Sequence, residues 1–247
     1  MKVNVLFGIN GAIEAVSRGD IIIAVDVLRA SSTITTALNN GAEKVIVVKE
    51  VEEAFRLSKI YGNSILAGER RGLKIKGFAL GNSPLEYNKN VIKGKTVIFT
   101  SSNCAPLIEV ARKARLLMLG CYLNISSLVK YANEKADEMN TDISIVHAGR
   151  YGAPCSDDLL CAEIIQALLN GELAEPPNPS LIKKVLLLTP SGRYLSSIGY
   201  KDDVIYCGNI DTINIVPVWV ENGFISNLRI TSLRDADRKV NEAQNDN

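Results

Sequence analysis

A chain of 247 residues, 47% of them apolar, can bury a full core as one large domain or two small ones. Its 28 basic and 27 acidic residues nearly cancel, which argues against the basic excess of a general nucleic-acid binder. The single histidine, His147, excludes a histidine-rich metal site, so a bound metal needs oxygen ligands.

The stretch "VNVLF" (3–7) reads as a first strand. One lysine precedes it and polar residues follow, unlike a signal peptide, and no run of about 18 apolar residues occurs. A cytoplasmic protein with no membrane contact is expected. "IIIAV" (21–25) is apolar throughout and so suits a central strand. The serine-rich "SSTITTALNNG" after it has caps and a closing Gly41, as a helix should. "KVIVV" (44–48), "SILA" (64–67), "TVIF" (96–99), "RLLML" (115–119) and "ISIVHA" (143–148) give further strands. Between them "VEEAFRLSKIYG", "APLIEVARKA" and "SSLVKYANEKADEM" give helices, and "SDDLLCAEIIQALLNG" follows the last strand with acidic residues in its first turn. The alternation predicts a three-layer α/β/α fold around a mixed, largely parallel sheet.

After Gly171 the pattern changes. "ELAEPPNPS" is a proline-rich loop, and "LIKKVLLLTPSGRYLSSIG" is helical on both sides of a break at Pro190. "INIVPVWV" and "FISNLRI", joined by "ENG", read as a β-hairpin extending the sheet. Residues 1–247 are expected to form a single domain that can carry a C-terminal subdomain from about 172, with 235–247 fraying. The five cysteines (104, 121, 155, 161 and 207) are scattered and form no C-x-x-C, so most are expected to be small buried hydrophobes.

Ligands of α/β sheets sit beyond the carboxyl ends of the strands. Four such ends carry polar chemistry here: "DVLRASST", "GERRG", "TSSNCA" and "GRYGAPCSDD". Asp26, directly after five apolar residues, suits a magnesium ligand or a nucleophile, although a helix cap would look the same. Arg29 offers a planar fork for phosphate oxygens, or an ion pair with Asp26. Ser31, Ser32 and Thr33 offer hydroxyls and a helix start to an anion. The stretch "GERRGLKIKGFALGNSP" (68–84) holds Arg70, Arg71, Lys74 and Lys76, a local cationic funnel for a small, highly charged anion, or else a solvated loop. Asp157 and Asp158 would complete an oxygen-ligand metal site, although acidic residues in a first helical turn also stabilise the macrodipole by up to about 1 kcal/mol each. Other phosphate chemistries are absent. No cysteine has an arginine six positions on, Asp26 is followed by Leu28 rather than a D-x-D aspartate, and "GKT" (94–96) has Lys89 where a P-loop needs its first glycine.

Together the segments "DVLRASSTI", "GERRG", "GFALGNSP", "TSSN", "AGRYG", "SDD" and "DDVIYC…VPV", in order from about residue 20 to 220, resemble the 2-phosphosulfolactate phosphatases of coenzyme M biosynthesis. The resemblance implies an α/β fold, magnesium, and hydrolysis of (2R)-2-phospho-3-sulfolactate to 3-sulfolactate and phosphate. On the leading reading of these residues, Asp26, Arg29 and Asp157 are catalytic, with Asp26, Asp157 and Asp158 around the metal. Substrate would be met by Ser31, Ser32, Thr33, Glu69, Arg70, Arg71, Asn82, Ser83, Ser101, Ser102, Asn103 and Gly149. Two positions depart from the family's pattern: Cys104 stands for a glycine, and Asp157 for a glutamate. Two alternatives stay open: a phosphatase for another phosphorylated hydroxy acid, and a non-catalytic anion-binding protein. The expected partner is a small anionic phosphate ester, and self-association is left open.

Overall fold

The computed structural model describes residues 1–232. The expected α/β fold is present, as ten strands in one mixed sheet with helices packed against it. In chain order the strands are β1 (Val3–Phe7), β2 (Ile21–Val25), β3 (Lys44–Val47), β4 (Ser64–Arg70), β5 (Leu73–Lys74), β6 (Thr96–Thr100), β7 (Leu116–Gly120), β8 (Ile143–His147), β9 (Pro217–Val220) and β10 (Gly223–Ser226). The helices are α1 (Gly8–Arg18), α2 (Ala30–Asn39), α3 (Val51–Ile60), α4 (Lys89–Ile92), α5 (Cys104–Ala111), α6 (Ile125–Met139), α7 (Ser156–Leu169), α8 (Pro179–Leu188), α9 (Pro190–Ser197) and α10 (Lys201–Cys207). Pro190 separates α8 from α9 as its ring requires. Residues 235–247, expected to fray, lie outside the described residues.

The sheet order is β1-β8-β2-β7-β9-β10-β3-β6-β4-β5. Strands β1, β8, β2 and β7 are parallel, and so are β3, β6 and β4. Every residue of β2 is buried: β7 and β8 pair its two edges, and its alternate side chains enter the cores on the two faces of the sheet. The hairpin β9–β10 extends the sheet from within, lying between the two parallel blocks. It meets β7 through one residue pair, Met118 with Val218, and β3 through another, Phe224 with Val45. All three junctions from β7 to β3 are antiparallel, so the two blocks run in opposite senses. Neighbouring strands turn by roughly 20–25° each, so the six steps from β2 to β4 accumulate about 120–150°. That rotation largely offsets the reversal and lets the carboxyl ends of both blocks face one cavity.

Helix α1 follows β1 without a loop and is absent from the sequence reading. Its small residues Gly11, Ala12 and Ala15 are buried while Ile9 and Ile13 are exposed, the reverse of ordinary amphipathicity. A side chain on Gly11 would come within 2.8 Å of the Leu6 side chain, so the close approach of helix and strand requires glycine. The segment 68–84 is more ordered than a loop. Strand β4 turns through Arg71 and Gly72, both at positive φ, and returns as β5. "INIV" (213–216) is not a strand, and β9 begins only at Pro217. The buried side chains Ile182, Leu186, Leu195, Val204 and Cys207 of α8–α10 share one core with β2 and β8.

Candidate active site

The corner between β2 and α2 is knotted to itself. Asp26 Oδ1 accepts from the Ala30 amide at 3.2 Å, and the Asp26 carbonyl accepts from both the amide and the hydroxyl of Ser31. The Ser32 hydroxyl donates to the Val27 carbonyl, and that of Thr33 to the Asn82 carbonyl. All three hydroxyls are buried on backbone partners. The expectation that they meet a phosphate is therefore corrected: buried hydroxyls satisfy the turn's own carbonyls. Asp26 caps the first turn of α2 with one oxygen and also lines a cavity.

Asp157 and Asp158, from the first turn of α7, line the same cavity and are almost completely buried. Asp158 accepts from the Val27 amide at 2.8 Å and the Gly149 amide at 3.0 Å, so it ties the ends of β2 and β8 together. Asp157 Oδ1 is buried without any hydrogen-bond partner. An orphaned carboxylate oxygen is costly unless a ligand completes it. Burial raises the pKa of all three carboxyls. For Asp26 it reaches about 7, with Glu69 and Asp157 adding to the rise and the Ala30 amide and Arg29 opposing it. For Asp158 the neighbouring Asp157 and Asp26 charges add to burial, whereas for Asp157 the Ser191 hydroxyl and the Arg150 charge oppose it. Three anions held this closely call for a positive partner.

Three arginines line the cavity. Arg29 is fully enclosed. It pairs with Asp203 of α10, donates to the Gly72 carbonyl at 2.6 Å and stacks on Tyr200 at 4.1 Å. Its ion pair is thus with Asp203, not with Asp26. Asp203 also accepts from the Ser83 hydroxyl at 2.7 Å, which removes Ser83 from the cavity and gives it a supporting place. The Arg71 and Arg150 side chains form no ion pair or side-chain hydrogen bond among the described residues. The Arg150 guanidinium lies over the rings of Tyr194, at 4.2 Å, and Tyr151, at 5.1 Å. Arg70 is a correction: its guanidinium turns to the Lys49 and Glu69 carbonyls and the Thr100 hydroxyl, off the cavity wall.

Glu69, Asn82, Ser102, Asn103 and Gly149 all line the cavity. Glu69 is a buried clasp, accepting from the amides of Gly72 and Ser102 and from the Ser102 hydroxyl. Asn82 Oδ1 is a second buried acceptor without a donor. Asn103 accepts from the Tyr151 amide. Gly149 sits at φ +69°, where a side chain would meet the Ala153 carbonyl oxygen at 2.3 Å. Ser101 is not on the wall and caps α5 through the Ala105 amide. Cys104 is buried inside that helix and does not face the cavity either. Sequence reading left out Arg150, Tyr151, Cys155, Ser191 and Tyr194, which complete the wall. The signal for Arg150 and Tyr151 was present in "GRYG" at the end of β8. Ser191 and Tyr194 had none, because only the fold brings α9 over the strand ends.

The arrangement places a desolvated carboxylate trio and uncommitted guanidinium groups in one cavity. It can hold a cation and a polyanion together. Comparison with known proteins points the same way. The family model for 2-phosphosulpholactate phosphatase matches residues 9–222. The probable 2-phosphosulfolactate phosphatase of Clostridium acetobutylicum is 35% identical over 91% of this chain and 100% of its own length. Those of Caldanaerobacter subterraneus subsp. tengcongensis and Thermotoga maritima are 38% and 36% identical over 83% and 82% of this chain, and over 89% and 90% of their own. With most of its length matched by the family model and by these relatives, the chain belongs to the 2-phosphosulfolactate phosphatase family.

Proposed function

We propose that this protein is a magnesium-dependent phosphatase that hydrolyses (2R)-2-phospho-3-sulfolactate to 3-sulfolactate and phosphate. The observation that carries the reading is the pairing, in one cavity, of a buried carboxylate trio with Arg71 and Arg150, neither of which forms an ion pair among the described residues. Asp26, Asp157 and Asp158 would hold the metal, and they fit it: all offer hard oxygen donors, and Asp157 Oδ1 is orphaned without one. When bound, magnesium supplies positive charge that polarises the phosphoryl oxygens.

The remaining work falls to the chain itself. Arg29 is held rigid by Asp203, Gly72 and Tyr200, so its remaining N–H groups present a fixed face to the phosphate. Arg71 and Arg150 meet the sulfonate and carboxylate. Asp26 Oδ2 makes no hydrogen bond among the described residues, and its carboxyl is poised near neutrality, so it is placed to accept a proton from an attacking water or to attack phosphorus itself. Tyr194 and Leu195 wall the cavity from α9 and limit its water.

A panel of phosphate esters, assayed with magnesium and after exhaustive chelation, tests the reading. Phosphate release from phosphosulfolactate should be abolished by EDTA and restored by magnesium. Undiminished turnover in EDTA overturns the metal role. Equal turnover of an ester lacking sulfonate and carboxylate overturns the substrate.

A further inference from the structure

Tyr194 touches both of the cavity's uncommitted arginines. Its hydroxyl donates to the Arg71 carbonyl at 2.8 Å, and its ring lies under the Arg150 guanidinium at 4.2 Å. Arg71 belongs to the turn after β4 and Arg150 to the loop after β8, so one side chain of α9 reaches cationic residues from both parallel blocks. The turn at Arg71 needs holding. Arg71 sits at φ +53° and Gly72 at φ +80°, and a residue other than glycine rarely adopts positive φ. The Tyr194 ring also packs on that turn, since a side chain on Gly72 would come within 3.3 Å of it. Neither guanidinium forms an ion pair or a side-chain hydrogen bond among the described residues, so Tyr194 locates both arginines without neutralising either.

We propose that Tyr194 is a positioning residue: it sets the spacing of Arg71 and Arg150, and that spacing selects an acid with an anionic group on each side of its phosphorylated carbon over a plain phosphate ester. The inference rests on reading the two arginines as the partners of the sulfonate and carboxylate. In phosphosulfolactate those two groups lie on opposite sides of the carbon that bears the phosphate, which confines their separation. A stacked guanidinium and a clamped backbone give up less freedom to such a ligand than two loose arginines would. The phenol suits both tasks at once. Its π face attracts a cation without carrying a charge, and its hydroxyl is a donor for the carbonyl. Phenylalanine would keep the first task alone, and leucine neither. Arg29, the partner of the phosphate, is held by Asp203, Gly72 and Tyr200 instead.

The test is calorimetry on the full chain in magnesium, with 3-sulfolactate and inorganic phosphate as the two probes. Tyr194→Leu should weaken 3-sulfolactate by at least roughly tenfold, and by at least about fivefold more than it weakens phosphate. Tyr194→Phe keeps the ring under Arg150 and should recover part of that loss. In an Arg71→Ala background Tyr194→Phe should have no further effect on 3-sulfolactate. In an Arg150→Ala background Tyr194→Phe and Tyr194→Leu should bind it alike. Circular dichroism checks folding, and the conservative Tyr194→Phe in its two backgrounds carries the test if Tyr194→Leu does not fold. Equal losses for the two probes, or additive effects in both backgrounds, overturn the inference. So does a native chain that binds phosphate but not 3-sulfolactate. The two readings fail separately. The expected binding pattern in a protein that releases no phosphate overturns only the phosphatase. Phosphate release from phosphosulfolactate, with both probes bound as tightly by the folded Tyr194 variants as by the native chain, overturns only the positioning role.

Discussion

Asp26 carries two tasks on two oxygens. Oδ1 closes the first turn of α2 and Oδ2 is left for the cavity. Asparagine preserves the cap through its carbonyl oxygen but removes the charge. Asp26→Asn should therefore keep the circular dichroism spectrum and lose at least about a hundredfold in kcat, since a general base or nucleophile contributes of that order. Near wild-type turnover would reduce Asp26 to a cap. The arginines separate in the same way. Arg71→Ala and Arg150→Ala should raise KM more for phosphosulfolactate than for an ester lacking sulfonate and carboxylate. Arg70→Ala should leave that selectivity unchanged, because its guanidinium is spent on backbone carbonyls away from the wall. A selectivity loss in Arg70→Ala equal to that in Arg71→Ala would refute the placement.

At the scale of elements, α10 acts on the cavity without lining it. Asp203 reaches from its first turn to Arg29, 174 residues earlier in the chain, and both side chains are fully buried. Asp203→Ala leaves a guanidinium buried without its counter-ion. Breaking such a pair costs about 3–5 kcal/mol, so the thermal midpoint should fall by several degrees, and kcat with it. An unchanged midpoint would show that Arg29 finds another anion. None of this coupling is visible in sequence, since neither composition nor spacing pairs residues so far apart. What sequence does show is local. Five apolar residues followed by an aspartate marked β2 and its polar corner, and Ser-Asp-Asp marked the start of α7. Type and spacing could not show which way a side chain turns. Ser31, Ser32, Thr33 and Arg70 looked like ligands, yet each had a backbone carbonyl closer at hand. Helix α1 went unread because its buried face is built from glycine and alanine, which carry almost no hydrophobic signal.

For the whole molecule, the carboxylate trio couples stability to pH. Without metal the folded chain keeps a proton on Asp26 up to about pH 7, whereas the unfolded chain releases it near the ordinary 3.8. The native state therefore binds more protons between those values, and stability falls as pH rises through them. The raised pKa values of Asp157 and Asp158 act in the same direction. In EDTA the thermal midpoint should be lower at pH 7.5 than at pH 5.5, and magnesium at pH 7.5 should recover the difference. A midpoint independent of pH in EDTA, or one that rises, would mean that the trio is not a buried anionic cluster.

Among the described residues the hairpin β9–β10 is the one pair of strands that joins the two parallel blocks within the sheet, and it comes after all the other described strands in the chain. Each block can collect its own helices while still on the ribosome, but until residues 217–226 emerge each holds an open strand edge, that of β7 in one block and that of β3 in the other. Because the site draws on β2 and β8 from one block and on β4 and β6 from the other, a nascent chain has no cavity at all. Its chemistry switches on with the insertion of a single ten-residue hairpin, which makes that step the natural place for a chaperone, a nearby nascent copy or a misfolding mutation to intervene.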